Sequence, residues 1–419
     1  FFITIVNYMD RSAISYAIEP IKQQFHLKDG AFGSIFAAFG VGYVVSTFVG
    51  GILVDRFGAR KVWSIAAVAW STMTAALGMA AGFWPLIMIR TMLGITEGPS
   101  FPALTRVVAD WLPASERVRS TAVGLVAVPL ASVVGAPLIS GLILAVGWKT
   151  MFFVLGTLGI VWAFFWTMLF RDYPENSKQV TRSELNFIRE GRPVGGQRSC
   201  EEIRQQSLSG SKTNLRTLLS NPALLSNNYA FFACGYLLFF AIHWLPDYLQ
   251  QTFALGLRDT GWLLVAPWLT AAIMLTAAAW LSDYLFIKTG SLRLSRSHVI
   301  WTCQLLSGLC FIPVVLTHSL PVALIFMSLG LGFGLAPNAA FYALNGDLAG
   351  DRAGTSLGIM TSCSAGAAII APWLTGQLKE MTGTFNSGIM LLMFFSLTAV
   401  VAILFFQYPD RHKLLDSDV

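Results

Sequence analysis

Charge is what this sequence has least of. Asp, Glu, Lys and Arg make up 12% of its 419 residues, about half the share of an ordinary soluble chain, so it has too little polar surface to fold in water. Cysteine is scarce as well. The five residues Cys200, Cys234, Cys303, Cys310 and Cys363 show no metal-ligand spacing, and four fall in apolar stretches, where a thiol is a small core filler. The sequence has no His/Asp/Glu metal cluster, no Ser–His pair within the apolar runs and no nucleotide motif, which argues against an enzyme. Gly330-x-Gly332-x-Gly334 lies in an apolar run with no preceding strand and no Lys-Ser/Thr, so it is no phosphate loop. No re-entrant, filter-like loop suggests a channel. No cofactor and no nucleic-acid partner are implied.

What the chain does have is long apolar runs. Hydrophobic residues reach 55%, gathered in runs such as 31–54, 62–81, 133–146 and 385–406. Several of these approach or exceed the ~20 residues that cross a bilayer as a helix. They are too many for one signal peptide, and they lack the short alternation of a membrane barrel. Breaks at clustered charges, Pro and Gly predict helices at 1–18, 31–54, 61–81, 84–110, 118–146 and 149–171. A second set is predicted at 223–251, 259–287, 297–317, 321–346, 354–379 and 385–408. Phe1 already falls inside an apolar run, so the first helix is expected to begin before it.

The fold expected is therefore an all-α membrane protein of twelve spans: a six-helix bundle over 1–171, a linker over 172–222, and a second bundle with a short tail over 223–419. In the linker, Thr181-x-x-Glu184 has the form of a capping box for a short surface helix at 182–189, and 191–210 is expected to be mobile. Basic residues set the orientation. Of 28 Lys and Arg, five (Lys22, Lys28, Lys149, Arg258, Lys379) fall on the side away from the linker and two (Arg11, Arg90) inside spans, leaving 21 on the linker side. That asymmetry predicts a cytoplasmic linker and cytoplasmic termini in a plasma membrane, the inner one of a bacterium.

The two halves echo each other. The second helix ends Asp55-Arg56-Phe-Gly58-Ala-Arg60-Lys61, and the eighth ends Asp283-Tyr-Leu-Phe-Ile-Lys288. Such repetition marks transporters built from paired bundles with the substrate held between them. An acid with bases after it at a helix end can bridge elements in one conformation and release them in another, which gives Asp55, Arg56, Arg60, Lys61 and Asp283 a gating role. Solvated loop charges are the plainer alternative.

Four charges sit deep in predicted spans: Asp10, Arg11, Arg90 and Glu97. At ~2.5–3.5 kcal/mol each on insertion scales, they must face one another or a wet cavity. Arg90 and Glu97 are seven residues apart, nearly two turns, and share a helix face, while Asp10 and Arg11 diverge by ~100°. The four sum to zero. A proton on either carboxylate leaves the site positive and attractive to an anion, and a bound anion raises the affinity for the proton. Two static salt bridges are the alternative, although buried pairs add little net stability.

Arg90-Thr-Met-Leu-Gly94-Ile-Thr-Glu97-Gly98-Pro99, Asn7-Tyr8-Met-Asp10-Arg11, the 51–61 loop, Ala109-Asp110-Trp111-Leu112-Pro113, Trp244-Leu-Pro246-x-Tyr248 and Ala353-Gly354-Thr355-Ser-x-Gly358 together resemble the major facilitator superfamily, and within it the anion:cation symporter family. The resemblance spans essentially the whole chain. It implies proton-coupled symport of a small organic anion such as a sugar acid, by a monomer in a lipid bilayer, with an exchanger or exporter of organic anions or organophosphates as the alternative. It further implies that Asp10 and Glu97 carry the proton, that Arg11 meets the substrate carboxylate, and that Arg90 pairs with Glu97 or Asp10 and also serves substrate. Tyr8 and Tyr43 match positions where such carriers present phenols.

The second half departs from the sugar-acid pattern. Ala127-Val128-Pro129-Leu130 is apolar where a polar residue is common, His243 replaces a Thr before Trp244, and Thr361, Ser362 and Ser364 stand where Asn is frequent. Asn338 follows Pro337 at a position where relatives often touch substrate. Trp244, Asn338, Thr361 and Ser364 are thus expected at the pocket, rewritten toward a smaller, less hydroxylated or aromatic carboxylate. His243 reads equally as a ligand contact and as a group reaching water near Pro246 and Asp247.

Overall fold

The computed structural model describes residues 1–177, 180–189, 215–349 and 353–409. The stretch 191–210, expected to be mobile, lies outside the described residues. The elements are α1 (Phe2–Tyr16), α2 (Ile18–Phe25), α3 (Asp29–Phe57), α4 (Ala59–Leu77), α5 (Phe83–Glu97), α6 (Ser100–Trp111), α7 (Ala114–Leu169), α8 (Arg182–Arg189), α9 (Leu215–Ser220), α10 (Pro222–Phe253), α11 (Leu257–Leu263), α12 (Val265–Thr289), α13 (His298–Leu316), α14 (Leu320–Leu335), α15 (Asn338–Ala349), α16 (Ala353–Thr382) and α17 (Asn386–Phe406). They make twelve crossings in two groups of six, the all-α architecture expected.

Hydropathy locates the crossings but not their breaks. The first runs past the expected residue 18, because α2 continues α1 after a bend at Ala17. The fourth, expected as one helix over 84–110, is interrupted at Gly98–Pro99, since Pro99 has no N–H to give to the preceding turn. The tenth is likewise divided between Leu335 and Asn338. The fifth and sixth are joined through Gly147, whose φ of 80° lies in the left-handed region and turns the chain back. Among the described residues, eight stretches are long and apolar enough to cross a membrane on their own. The first and fourth crossings fall short as continuous helices because of these breaks, and α4 begins with Arg60 and Lys61. The outer surface is apolar, with Trp84 67% and Ile287 84% exposed, the inverse of a soluble surface and the form of a lipid-facing one.

Small residues let the helices meet backbone to backbone, the packing available where lipid offers no hydrophobic drive. Between α3 and α5, a Cβ added at Gly94 would lie 2.9 Å from the Tyr43 amide nitrogen, and one at Gly42 2.9 Å from that of Ile95. Ser46 Oγ donates to the Gly94 carbonyl across the same seam at 3.1 Å.

The two bundles touch chiefly at one end. From Gly30 to Gly40, α3 lies against α16: Gly30 faces Gln377 and Glu380, Gly33 faces Pro372 and Gly376, and Gly40 faces Ala368. Toward the linker they part, and a Cβ at Gly51, Gly354, Gly358 or Gly366 would meet nothing within 4 Å. The protein is closed at the end away from the linker and open toward it.

Candidate functional site

The close approach of α3 and α5 decides what stands at the centre. It presents Phe36, Phe39 and Tyr43 beside Arg90 and Glu97, and α1 adds Tyr8, Asp10 and Arg11 on the other side. The four charged residues are fully buried, Arg11 1% exposed and the other three 0%. Arg11 Nη2 donates to Glu97 Oε2 at 2.8 Å and Nε to the same oxygen at 3.2 Å, leaving Glu97 Oε1 without a protein partner. The Arg11 guanidinium also lies 4.5 Å from the centre of the Tyr8 ring, 4.6 Å from Phe39 and 4.8 Å from Tyr43. Aromatic faces stabilise a cation without taking up its hydrogen-bond donors.

Arg90 stands differently from the pairing implied by the family resemblance. It meets neither Glu97 nor Asp10 in a salt bridge. Its Nη2 is 3.3 Å from His243 Nε2 on α10 of the other bundle, its guanidinium lies 5.0 Å from the Phe39 ring centre, and Nε and Nη1 have no protein partner. Both oxygens of Asp10 are unpartnered too, as is the Thr74 hydroxyl on α4, which is also buried. One carboxylate therefore neutralises one guanidinium, one guanidinium keeps its charge, and one carboxyl group is isolated.

His243 does not reach interfacial water: it is 0% exposed and packs on Phe36 at 4.6 Å between ring centres. Trp244 is buried in the closed seam, its indole N–H donating to the Pro372 carbonyl at 3.0 Å. Asn338, with Oδ1 unpartnered, stands at the break in the tenth crossing. Thr361 returns its hydroxyl to the Leu357 carbonyl of its own helix. Ser364 packs against Gly235 within the second bundle. Sequence reasoning passed over Phe39, shared by both guanidiniums, and Tyr342 on α15, whose phenol is within electrostatic range of Tyr8 and Tyr43.

At the linker end, the contacts of the gating candidates stay within one bundle or reach the start of the linker. Asp55 is 3.3 Å from Arg106. The Arg60 amide donates to Asp172 at 2.7 Å and its Nε to the Thr167 carbonyl at 3.1 Å. Arg56 lies over Phe57, and Lys61 is exposed. Asp283 is engaged by Arg296 at 2.8 Å rather than by the expected Lys288, which lies over Tyr284.

A second charged group holds the closed end, and its key residue reads in the sequence only as a basic charge at a helix end. Lys379 is 4% exposed and sits 2.6 Å from Asp247 and 2.9 Å from Asp29, which also accepts from Lys22 at 2.8 Å. Asp29 and Lys22 belong to the first bundle, Lys379 and Asp247 to the second. Lys379→Met should lower the thermal midpoint by several degrees, because Asp247 loses its cation in a buried place, an effect of about 3–5 kcal/mol. Replacing both members (Lys379→Met with Asp247→Leu) should recover most of the loss. A double variant no more stable than the single one would show that the pair is not what closes this end.

Comparison with known proteins agrees with this fold. Residues 1–372 match the Major Facilitator Superfamily. The chain is similar to the "Hexuronate transporter" of Bacillus subtilis, with 29% identity over 97% of this chain and 92% of that protein. It is also similar to the "Probable galactarate/D-glucarate transporter GudP" of the same organism, at 31% over 99% and 92%. Among solved structures, a D-xylose-proton symporter superposes with a TM-score of 0.75 over 97% of both chains at 14% identity, a likeness of fold.

Proposed function

Because the chain belongs to the major facilitator superfamily, and is thus a multi-pass membrane transporter rather than an enzyme, we propose that it carries a small organic carboxylate together with a proton, by alternating access between its two six-helix bundles. One observation supports this most: Arg90, wholly buried, has an aromatic face and a histidine beside it but no carboxylate in salt-bridge contact, and two of its nitrogens lack partners. An uncompensated cation at such depth is costly, and a carboxylate is the complementary ligand for its planar donor edge.

The proton enters through Glu97. A carboxyl oxygen that gains a proton no longer serves as anion to Arg11, so protonation frees a second guanidinium in the same aromatic cage. The anion then meets two cations at once, and by linkage its presence holds the proton. Asp10, isolated beside Thr74, is a second carrier. Tyr8, Tyr43 and Tyr342 offer phenols to a hydroxylated substrate, and Asn338 an amide. The relatives' sugar-acid names agree with such a ligand. The excess of Lys and Arg on the linker side supports cytoplasmic termini in a plasma membrane, and one chain supplies the whole site, as a monomer requires.

The test is uptake by proteoliposomes containing the purified protein, with D-glucuronate and D-glucarate outside and a pH dye inside. Symport predicts accumulation only when the outside is the more acidic, with the lumen acidifying as substrate enters. Entry of substrate only as internal substrate leaves, with no accumulation under any pH gradient, would replace symport by exchange.

A further inference from the structure

The contact between Arg90 and His243 has a direction. His243 Nδ1 lies 2.8 Å from the Phe239 carbonyl, one turn earlier on α10. A carbonyl only accepts, so Nδ1 carries the proton and donates it. Arg90 Nη2, 3.3 Å from the other ring nitrogen, can only donate, so Nε2 presents its lone pair. The imidazole is therefore a neutral acceptor with its tautomer fixed by its own helix. Packing against Phe36 at 4.6 Å and Phe239 at 6.2 Å fixes its plane.

We infer that His243 is a positioning residue for Arg90, aiming its guanidinium at the anion from the opposite bundle without cancelling its charge. A guanidinium has two faces that grip a carboxylate by two parallel N–H groups, one at its end and one along its side. One Nη2 hydrogen spent on His243 leaves one whole face available, and Nε and Nη1 are both unpartnered. A carboxylate in place of the imidazole would orient Arg90 equally well but neutralise it, as Glu97 does Arg11. An apolar residue would leave it charged but unaimed. A neutral acceptor does the first without the second.

The placement also makes the aim conditional. Arg90 belongs to the first bundle and His243 to the second, beside the seam where Phe36 meets Trp244 at 5.3 Å between ring centres. When the closed end opens, α10 and α5 separate and Arg90 loses its guide. Its readiness for the anion thus belongs to the state open toward the linker, which gives the two faces of the membrane different affinities.

This inference rests on Arg90 as the anion's point of attachment, and its test separates the two ideas. Binding of D-glucuronate, D-glucarate and sulfoacetate to the detergent-purified full chain would be measured by calorimetry and thermal shift for wild type, His243→Ala, His243→Gln and His243→Glu. Gln retains a neutral acceptor at similar reach, and its affinity should stay within about twofold of wild type. Ala should weaken binding roughly three- to tenfold and, by the cavity it leaves, lower the ligand-free melting temperature by a few degrees, and Glu should weaken binding on the order of a hundredfold. Wild-type affinity in the Ala or Glu variant overturns the positioning role while leaving the anion site standing. Equal weakening in Gln and Ala would make His243 a direct ligand instead. Failure of every probe to bind wild type, in a panel covering both sugar acids and a sulfonate, defeats the anion reading and this inference with it.

Discussion

Glu97→Gln should abolish proton-driven accumulation of substrate and leave substrate-for-substrate exchange at a substantial fraction of wild type. The substitution keeps the size of the side chain and one carbonyl oxygen, which can still accept from Arg11 where Glu97 Oε2 does now, at 2.8 and 3.2 Å. What it removes is the charge and the titratable proton. The cavity then stays positive at every pH, holding an anion well but releasing it in no response to a proton gradient. Both ends of the cycle are affected in opposite ways, so the comparison of counterflow with gradient-driven uptake in the same vesicles is decisive. The same change costs stability. Arg11 is 1% exposed and loses its only salt-bridge partner among the described residues, an effect approaching the about 3–5 kcal/mol of breaking a buried pair, softened by the retained oxygen. A melting temperature several degrees below wild type is expected, recovered in part by saturating anion, since a ligand bound only to the folded state stabilises it. Undiminished accumulation in this variant would take the proton away from Glu97.

The sequence carried the architecture because a bilayer leaves few alternatives. Runs of apolar residues must be helices, and charges inside them must have reasons. Asp10, Arg11, Arg90 and Glu97 were conspicuous for that cause. Their pairing was not. Helical spacing puts Arg90 and Glu97 on one face of a span, and from that alone they are each other's natural partners. The break at Gly98–Pro99, and the approach of α1 to α5 across Phe39, gave Glu97 to Arg11 instead, and neither is visible in a periodicity. His243 reads equally as a ligand contact and as a group reaching water, because Asp247 is one turn away. Yet the turn between them puts Trp244 against Phe36 of the first bundle, and both polar residues are buried beside it with partners distant in sequence. Lys379 shows the same limit. At the end of an apolar run a lysine reads as a loop cation, but Asp29 and Asp247 lie 350 and 132 residues away in sequence and meet it only in the folded chain.

Asp10→Asn has the opposite sign from Glu97→Gln in stability, although both remove a buried acid. Glu97 compensates a cation, whereas Asp10 compensates none: it is 0% exposed, it forms no salt bridge, and the Thr74 hydroxyl is the one donor beside it. Its nearest electrostatic company includes Glu97, of like charge. A carboxylate kept dry without a cation, and with one hydroxyl beside it, is a standing penalty. Asn has the same shape, no charge, and an amide that can donate to whatever oxygen is close. Removing the acid should therefore stabilise the ligand-free protein by about 1–3 kcal/mol, a rise of a few degrees in melting temperature. That gain would come at the expense of transport, because a site strained in the absence of its cargo is the form in which folding energy is held for function. Uptake driven by a pH gradient should fall to a small fraction of wild type, and anion binding should change little, since neither guanidinium touches Asp10. A variant that is both less stable and unable to bind anion would mean that Asp10 has a cationic partner in the working protein, and would move it from proton carrier to structural anchor.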